Sequence, residues 1–331
     1  MTGRPQVSVV MPAYNVAPFI LESVRSVLGQ SFQDLELIVV DDGSRDGTAD
    51  RLLAVKDPRL QIIQQVNRGS SSARNSGIKL ASCEYVGFID ADDLWAPNKL
   101  ETHITFLEQH PEVDLTFSRS ELIDENGNPT GRTSALVSGE ISFQDLLTEN
   151  VVNNGSAVVM RRKALDLAGH FDTELEACVD WDLWLRVAML RPRNTFCLDG
   201  LLTKYRMRPG QITKNWRRME AAWNKMFAKM LHVASAQVAI VADEARAKFY
   251  RYLAYIAYEN HDYATSTRLL RRALGFSALK IVSDRRTWVL MSALLARGIL
   301  PDRIHRACDG MARRFRSRQS SAVLRSSLMR R

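Results

Sequence analysis

Four short strand-like runs, mostly apolar, at residues 7–11, 35–40, 60–64 and 85–89, alternate with stretches of helical apolar spacing. That alternation narrows the fold more than any other feature. Strands joined by helices at such intervals form βαβ units around a parallel sheet covered on both faces. Residues 18–28 put Ile20, Val24, Val27 and Leu28 on one helical face. Asp46 or Thr48 stands where a second helix would begin, and Ser70-Ser71-Ser72 enters a third carrying Ala73-Arg74-Asn75. The runs end in loops rich in Asp, Asn, Ser or Gly: Pro12-Ala13-Tyr14-Asn15, Asp41-Asp42-Gly43-Ser44-Arg45-Asp46-Gly47, Asn67-Arg68-Gly69 and Asp90-Ala91-Asp92-Asp93. Ligands of open α/β sheets gather beyond the carboxyl ends of the strands, so these loops form the candidate site. A dinucleotide fold or a P-loop is excluded, because no GxGxxG follows the first run and no GxxxxGK[ST] occurs.

The last loop sets three carboxylates within four positions. Packed so closely they raise one another's pKa unless a cation sits among them, and hard oxygen ligands suit Mg2+ or Mn2+ held with substrate phosphates. The plainer alternative is a solvated turn with an Asp cap, the role expected of Asp93.

With 331 residues, 46% apolar and 25% charged, the chain has room for one large domain plus something smaller. The cysteines Cys83, Cys178, Cys197 and Cys308 have no metal-ligand spacing and read as apolar fillers in a reducing compartment. The start has no signal-peptide pattern and no apolar run is long enough for a membrane span, so the expectation is a cytoplasmic, non-spanning protein. Most of the net charge of +8 comes from residues 302–331, where nine arginines face two aspartates. Such a tail is either a solvated end or a contact for anionic lipid at the inner face of the membrane; no nucleic-acid motif accompanies it, so no nucleic-acid partner is expected.

Further along, residues 98–110 read as an amphipathic helix, 113–117 and 157–160 as strands, and 121–132 as a hairpin around Asn126-Gly127. After residue 211 the pattern turns all-helical, with Ala221, Trp223, Met226, Phe227, Met230 and Leu231 as one stripe and a helical hairpin through Leu269, Leu270, Ala273 and Leu274. A tetratricopeptide-like pair is suggested without a second copy, so no repeat array is read. The expected domains are 1–210 (catalytic), 211–301 (helical extension) and 302–331 (basic tail, disordered if nothing binds it).

The segments VSVVMPAYN, ELIVVDDGSRDGT, NRGSSSARNSGI, EYVGFIDADDLW and GHFDTELEACVDWDLWLRVA, in this order and spacing, resemble the glycosyltransferase family 2 pattern over residues 5 to 208. The resemblance implies an α/β GT-A fold, a Rossmann-like, mostly parallel sheet flanked by helices, and transfer of a nucleotide-activated sugar with inversion. It places Pro12, Ala13, Tyr14 and Asn15 along the nucleotide, Tyr14 near the base, and Asp42 on the N–H of uracil or thymine, pointing to a UDP- or dTDP-sugar donor. Asp41 then supports the loop or reaches the ribose. Arg74 pairs with a donor phosphate or with Asp41 or Asp42, and Asn75 tethers the same loop. Asp92 becomes the metal ligand, for Mg2+ or Mn2+, with Asp90 on the ribose or a metal-bound water. Asp180 becomes the general base, Val179 replacing the Glu that often precedes it, while Asp182 is structural and Trp181 either stacks on sugar or packs in the core. Arg208 falls where many members carry a metal-binding His; an Arg is protonated and ligates no metal, so it would grip the diphosphate. The implied acceptor is a saccharide or lipid-linked oligosaccharide of surface polysaccharide synthesis. The alternatives are a catalytically silent nucleotide-binding scaffold in a polysaccharide assembly, or a sugar-nucleotide pyrophosphorylase.

Overall fold

The computed structural model describes residues 5–208, 211 and 214–299; Pro209, Gly210, the basic tail and Cys308 lie outside the described residues. The chain divides into two compact units. The first holds the residues up to 207 apart from 130–132 and 147–150, which group with the second.

In the first unit the alternation is realised as β1 (Val7–Ala13), α1 (Ile20–Leu28), β2 (Leu35–Asp41), α2 (Thr48–Leu53), β3 (Leu60–Gln64), α3 (Ser70–Leu80) and β4 (Tyr85–Phe88). β1 pairs in parallel with β2 and β4, and β2 with β3. β2 and β4 are buried along their whole length and β1 all but so, the polar Ser8 and Glu36 included, which meet across the strands with Ser8 Oγ donating to Glu36 Oε1 at 2.6 Å. Helix α3 lies directly on β1 and β2 because Gly77 leaves no gap: a Cβ there would sit 2.5 Å from Val10 Cγ1 and 3.4 Å from Val40 Cγ2.

Then follow β5 (Leu94–Trp95), α4 (Lys99–Gln109), β6 (Leu115–Ile123), β7 (Pro129–Thr133), β8 (Gly139–Glu140), α5 (Phe143–Thr148), a 3-10 turn (Gly155–Ala157), β9 (Val158–Arg161), α6 (Arg162–Ala168), α7 (Val179–Ala188) and β10 (Thr195–Arg206). The sheet runs β3-β2-β1-β4-β9-β6-β10-β5, with β7 and β8 off that path. Its first four strands are parallel; β9 then runs antiparallel between β4 and β6, while β6 and β10 are again parallel. The sheet is therefore mixed from its midline onward, and the site lies where that change occurs.

Beneath the midline runs a buried polar chain. Lys99 Nζ, fully enclosed, reaches Ala157 O at 2.9 Å, Thr203 Oγ1 at 3.2 Å, and Ser118 Oγ and His103 Nε2 at 3.3 Å. His103 Nδ1 lies 2.8 Å from Thr116 Oγ1, whose hydroxyl donates to Val159 O, so the ring carries its proton on Nδ1 and accepts at Nε2. Burial first, and then the Lys99 charge, hold His103 well below the ordinary imidazole value of 6.5. As the pH falls through that value the unfolded chain takes up a proton that the folded chain refuses, so stability falls with it. His103→Gln removes that uptake. Urea unfolding from about pH 7 to about pH 5 is expected to show a shallower fall in the variant, by up to about 1.4 kcal/mol per pH unit. Equal slopes would mean that the folded imidazole titrates normally.

Burial also pushes the Cys83 and Cys197 thiols up to about 12, so both behave as the inert fillers expected.

The second unit is helical: α8 (Trp216–Val233), α9 (Ser235–Glu259), α10 (Tyr263–Val282) and α11 (Arg285–Ile299). Asn215 and Asp262 cap α8 and α10, accepting from Arg218 N at 3.2 Å and Thr265 N at 3.1 Å. The stripe of α8 is buried as Trp216, Met219, Ala222, Trp223, Met226, Phe227 and Met230, one position off the expected Ala221. Trp223 stacks between Phe227 and Phe249, with centroids at 4.6 and 4.3 Å. Among the described residues no helix is long and apolar enough to cross a membrane.

Candidate active site

The strand-end loops fasten to one another before they meet anything else. After β1, Asn15 adopts φ 50°. Its Oδ1 accepts from Arg45 N at 2.9 Å, and its N–H donates to Ser44 Oγ at 3.0 Å. Val16 N and Ala17 N donate to Thr48 Oγ1 and Asp46. The backbone at Tyr14 is thereby fixed while its ring stays 48% exposed, open to stack on a planar group.

Asp41 and Asp42 end β2, both buried. Asp41 Oδ1 accepts from Ser44 N at 3.1 Å, the loop-supporting contact. Asp42 is also engaged from within the chain. Its Oδ1 accepts from Gln65 Nε2 at 2.7 Å and Arg68 N at 2.9 Å, and its Oδ2 from Gly69 N at 2.8 Å. The carboxylate shapes the loop leading into α3, leaving lone-pair capacity at Oδ2 for one further donor.

The resemblance offers Arg74 a donor phosphate or Asp41 or Asp42 as its partner; the carboxylate it pairs with is Asp90. The reason lies in α3: its seat on the sheet points residue 74 toward the end of β4, where the guanidinium also lies 5.3 Å over the Phe171 ring. Asn75 ties neither end of its own loop. It holds Phe171, accepting from its N–H at 3.0 Å and donating to its carbonyl at 2.8 Å. That two-point contact draws the segment before α7 against α3.

Asp93 is the clearest correction. In place of a solvated cap it is wholly buried, accepting from Ser156 Oγ at 2.5 Å and Arg206 N at 2.9 Å. Burial, followed by the charges of Asp92 and Asp90, raises its carboxyl well above the usual range. Ser156 Oγ also accepts from Asp90 N, and Ser156 O from Trp95 Nε1, so one serine joins the β4 end to β5 and the 3-10 turn. Arg206, 1% exposed, donates from Nε to Asp92 O at 2.8 Å, from Nη1 to Glu125 O at 2.9 Å and from Nη2 to Glu22 Oε2 at 2.7 Å. The peptide that follows Asp92 is thus held from β10, and the one before it from α1, where Ser23 Oγ donates to Ala91 O at 2.9 Å.

Asp180 opens α7, just after Cys178 turns through φ 57°. It is half-buried and accepts from Trp181 N at 2.9 Å. Burial pushes its carboxyl above the usual range; the Arg74 charge and the Trp181 N–H oppose that, and Asp90 adds to it. Asp180, Arg74 and Asp90 therefore share one electrostatic environment. Asp182 is structural as expected, buried and paired with Arg186, which donates to the carbonyls of Gly169 and His170. Trp181 is in the core, its Nε1 on Leu146 O at 2.6 Å.

Sequence reasoning passed over Tyr205. Burial and then the charges of Asp93, Asp90, Asp92 and Asp180 raise its phenol well above the ordinary value, so it faces the site as a neutral hydroxyl. Its adjacency to Arg206 on a strand was the available signal, since neighbours on a strand face opposite sides. Arg208 lies two residues past β10 and groups with the second unit.

Among the described residues no three His, Cys, Asp or Glu side chains surround one point. The donor set nevertheless fits a hard divalent cation of the kind that keeps one or two carboxylates and completes its shell with phosphate and water. Asp92 would supply one carboxylate, beside Asp90, which is shared with Arg74.

Residues 8–167 match the model of glycosyl transferase family 2. Over 231 residues the chain is 29% identical to an uncharacterized glycosyltransferase of Rickettsia conorii, covering 68% of this chain and 38% of that one. It is 28% identical over 224 residues to the Escherichia coli UDP-Glc:alpha-D-GlcNAc-diphosphoundecaprenol beta-1,3-glucosyltransferase WfgD, covering 66% of this chain and 84% of the relative. The chain thus spans well under half of the Rickettsia relative but most of WfgD. Among solved structures, the mannosyltransferase PcManGT from Pyrobaculum calidifontis, in complex with GDP-Man and Mn2+, aligns with a TM-score of 0.60 at 20% identity, over 96% of this chain and 86% of that one.

Proposed function

The chain is a family 2 glycosyltransferase of GT-A fold, and from that premise we propose that it transfers a sugar, with inversion, from a nucleoside-diphosphate sugar to a hydroxyl of a saccharide or lipid-linked acceptor in surface polysaccharide synthesis. One observation carries the reading. A carboxyl raised by burial, Asp180, shares its field with Arg74 and Asp90 at the strand end that also bears Asp92.

In this reading Asp180 is the general base. It takes the proton of the acceptor hydroxyl while that oxygen bonds to the anomeric carbon and the bond from that carbon to the phosphate oxygen breaks. A carboxylate above its usual pKa is a better proton acceptor. The sugar passes through an oxocarbenium-like state. A divalent cation on Asp92, with Asp90 supporting it, would supply Lewis-acid stabilisation of the departing diphosphate. Arg74 balances the local charge, and Arg208 is proposed to grip the diphosphate. Pro12, Ala13, Tyr14 and Asn15 line the nucleotide, Tyr14 stacking on the base at about 1–3 kcal/mol. Asp41 and Asp42 set the loop beside it, the remaining lone pair of Asp42 favouring a uracil or thymine N–H. The similarity to WfgD, named for a UDP-Glc donor and a diphosphoundecaprenol-linked acceptor, supports this donor and acceptor class. The Mn2+ in PcManGT supports the cation.

The test is a panel of UDP-, dTDP- and GDP-sugars scored for hydrolysis and binding with Mn2+. One donor is expected to turn over, and Asp92→Asn is expected to cut that turnover by about 100-fold or more. Full turnover in excess chelator, unaffected by Asp92→Asn, would remove the metal role. Binding of a donor with no turnover, even with acceptor mixtures, would favour the silent-scaffold alternative.

A further inference from the structure

Charge is divided along the chain in a way the glycosyl-transfer reading does not use. Residues 263–331 carry sixteen Arg and Lys against three Asp, a net +13, so residues 1–262 are net −5. Within the described part of that basic region, α10 and α11 hold seven Arg and Lys and no Asp or Glu.

Helix α11 keeps two faces apart. Thr287 and Leu290 are buried. Arg285, Trp288, Val289, Ser292 and Leu295 follow the i, i+3, i+4, i+7 spacing of a single stripe and are all exposed, Trp288 by 54% and Leu295 by 64%. Trp288 satisfies its only donor internally, Nε1 giving 2.7 Å to Val282 O, so its ring has no polar need of water. Leu279, near the end of α10 and next to Lys280, is 84% exposed. An outward stripe of Trp, Val and Leu, led by Arg and set in acid-free helices, is the composition of an element lying in a lipid headgroup layer. Arg272, Lys280 and Arg286 are paired with Glu220, Glu244 and Glu149, but Arg285 at the head of the stripe is exposed, which favours an anionic surface over a neutral one, and a nucleic acid would leave the aliphatic residues in water.

We propose that the outer face of α11 docks on an anionic membrane surface, Trp288, Val289 and Leu295 entering the headgroup layer while Arg285 meets lipid phosphate. The proposal concerns where the chain sits and stands whether or not the donor and acceptor assignments hold.

The experiment is flotation of the full chain with phosphatidylcholine vesicles, with and without phosphatidylglycerol, at about 0.1 M and about 0.5 M salt, where the Debye length falls from roughly 10 Å to a few ångströms. Variants are Trp288→Ser/Leu295→Gln and, separately, Arg285→Glu. All carry the tail unchanged, and donor hydrolysis and the unfolding midpoint serve as controls for folding. The wild type is expected to float with anionic vesicles only and to keep part of its binding at high salt. The double variant should lose that salt-resistant part by on the order of tenfold, and Arg285→Glu should lower the low-salt partition by a similar factor. Wild-type flotation by both variants would assign any binding to the tail and overturn the proposal. So would equal binding to uncharged vesicles, no flotation at all, or a double variant that changes only the oligomeric state.

Discussion

Asp180→Asn is expected to lower kcat by about 10²–10⁴-fold while leaving donor binding close to wild type, because the proton acceptor is lost and the diphosphate contacts are not. The same change should raise the unfolding midpoint at neutral pH. Burial holds the Asp180 carboxyl above the usual range, so the folded chain binds its proton more tightly than the unfolded chain does. Above both values the folded state bears the cost of an ionised, half-buried group, and an amide does not incur it. A variant that is slower yet more stable is the signature of a site held against its own folding preference. The wild-type pH profile of kcat/KM should also show an acid limb above the ordinary carboxylate range, absent from the residual activity of the variant. Asp182→Asn separates the two effects: it breaks the buried pair with Arg186, so stability should fall while the acid limb stays. If Asp180→Asn transfers sugar at the wild-type rate, the base is another group.

Arg206→Met should give the larger stability loss, about 3 kcal/mol, from removal of charge-assisted hydrogen bonds to buried partners. Glu22 can return to water, since its side chain is 55% exposed, but Asp92 O and Glu125 O lose their donor inside the protein. The backbone bond from Arg206 N to Asp93 survives, which keeps the expected loss short of unfolding. The informative reading is a second one. With its peptide released, Asp92 samples more orientations, so the Mn2+ concentration for half-maximal activity should rise several-fold in Arg206→Met and less in Arg206→Lys. Urea unfolding and Mn2+ titration check both halves. A loss below about 1 kcal/mol with an unchanged Mn2+ requirement would mean that Arg206 is mere packing.

The parallel half of the fold was legible because runs such as 35–40 are apolar at every position but Glu36, a density that a sheet covered on both faces accommodates. The strand-end loops were legible for the same reason, since each begins where a run stops. What could not be read were choices among partners. Asp93 looked like a turn residue from its neighbours, yet its bonds go to Ser156 and Arg206, 63 and 113 positions away. Arg74 could reach any of several carboxylates until the depth of α3 selected Asp90. Lys99 is a charged residue that sequence gives no reason to bury, and the closure of β6, the 3-10 turn and β10 around it explains its burial. β9 carries no local mark of direction, so the switch from parallel to mixed pairing stayed hidden. Pattern reports which face an element buries; it does not report which of two like side chains wins a shared partner.

Gly77 shows how far from the chemistry a constraint can sit. It touches no proposed substrate, yet a methyl group there would collide with Val10 and lift the helix that carries Arg74. Because the pairing with Asp90 is short-ranged, a displacement of about 1 Å would leave that carboxylate without its cation. Val10 and Gly77 are therefore coupled as a size pair. An enlarged residue at 77 should be tolerated only with a smaller one at 10, and a search for variants of altered charge balance can begin at this seam between strand and helix rather than at the carboxylates themselves.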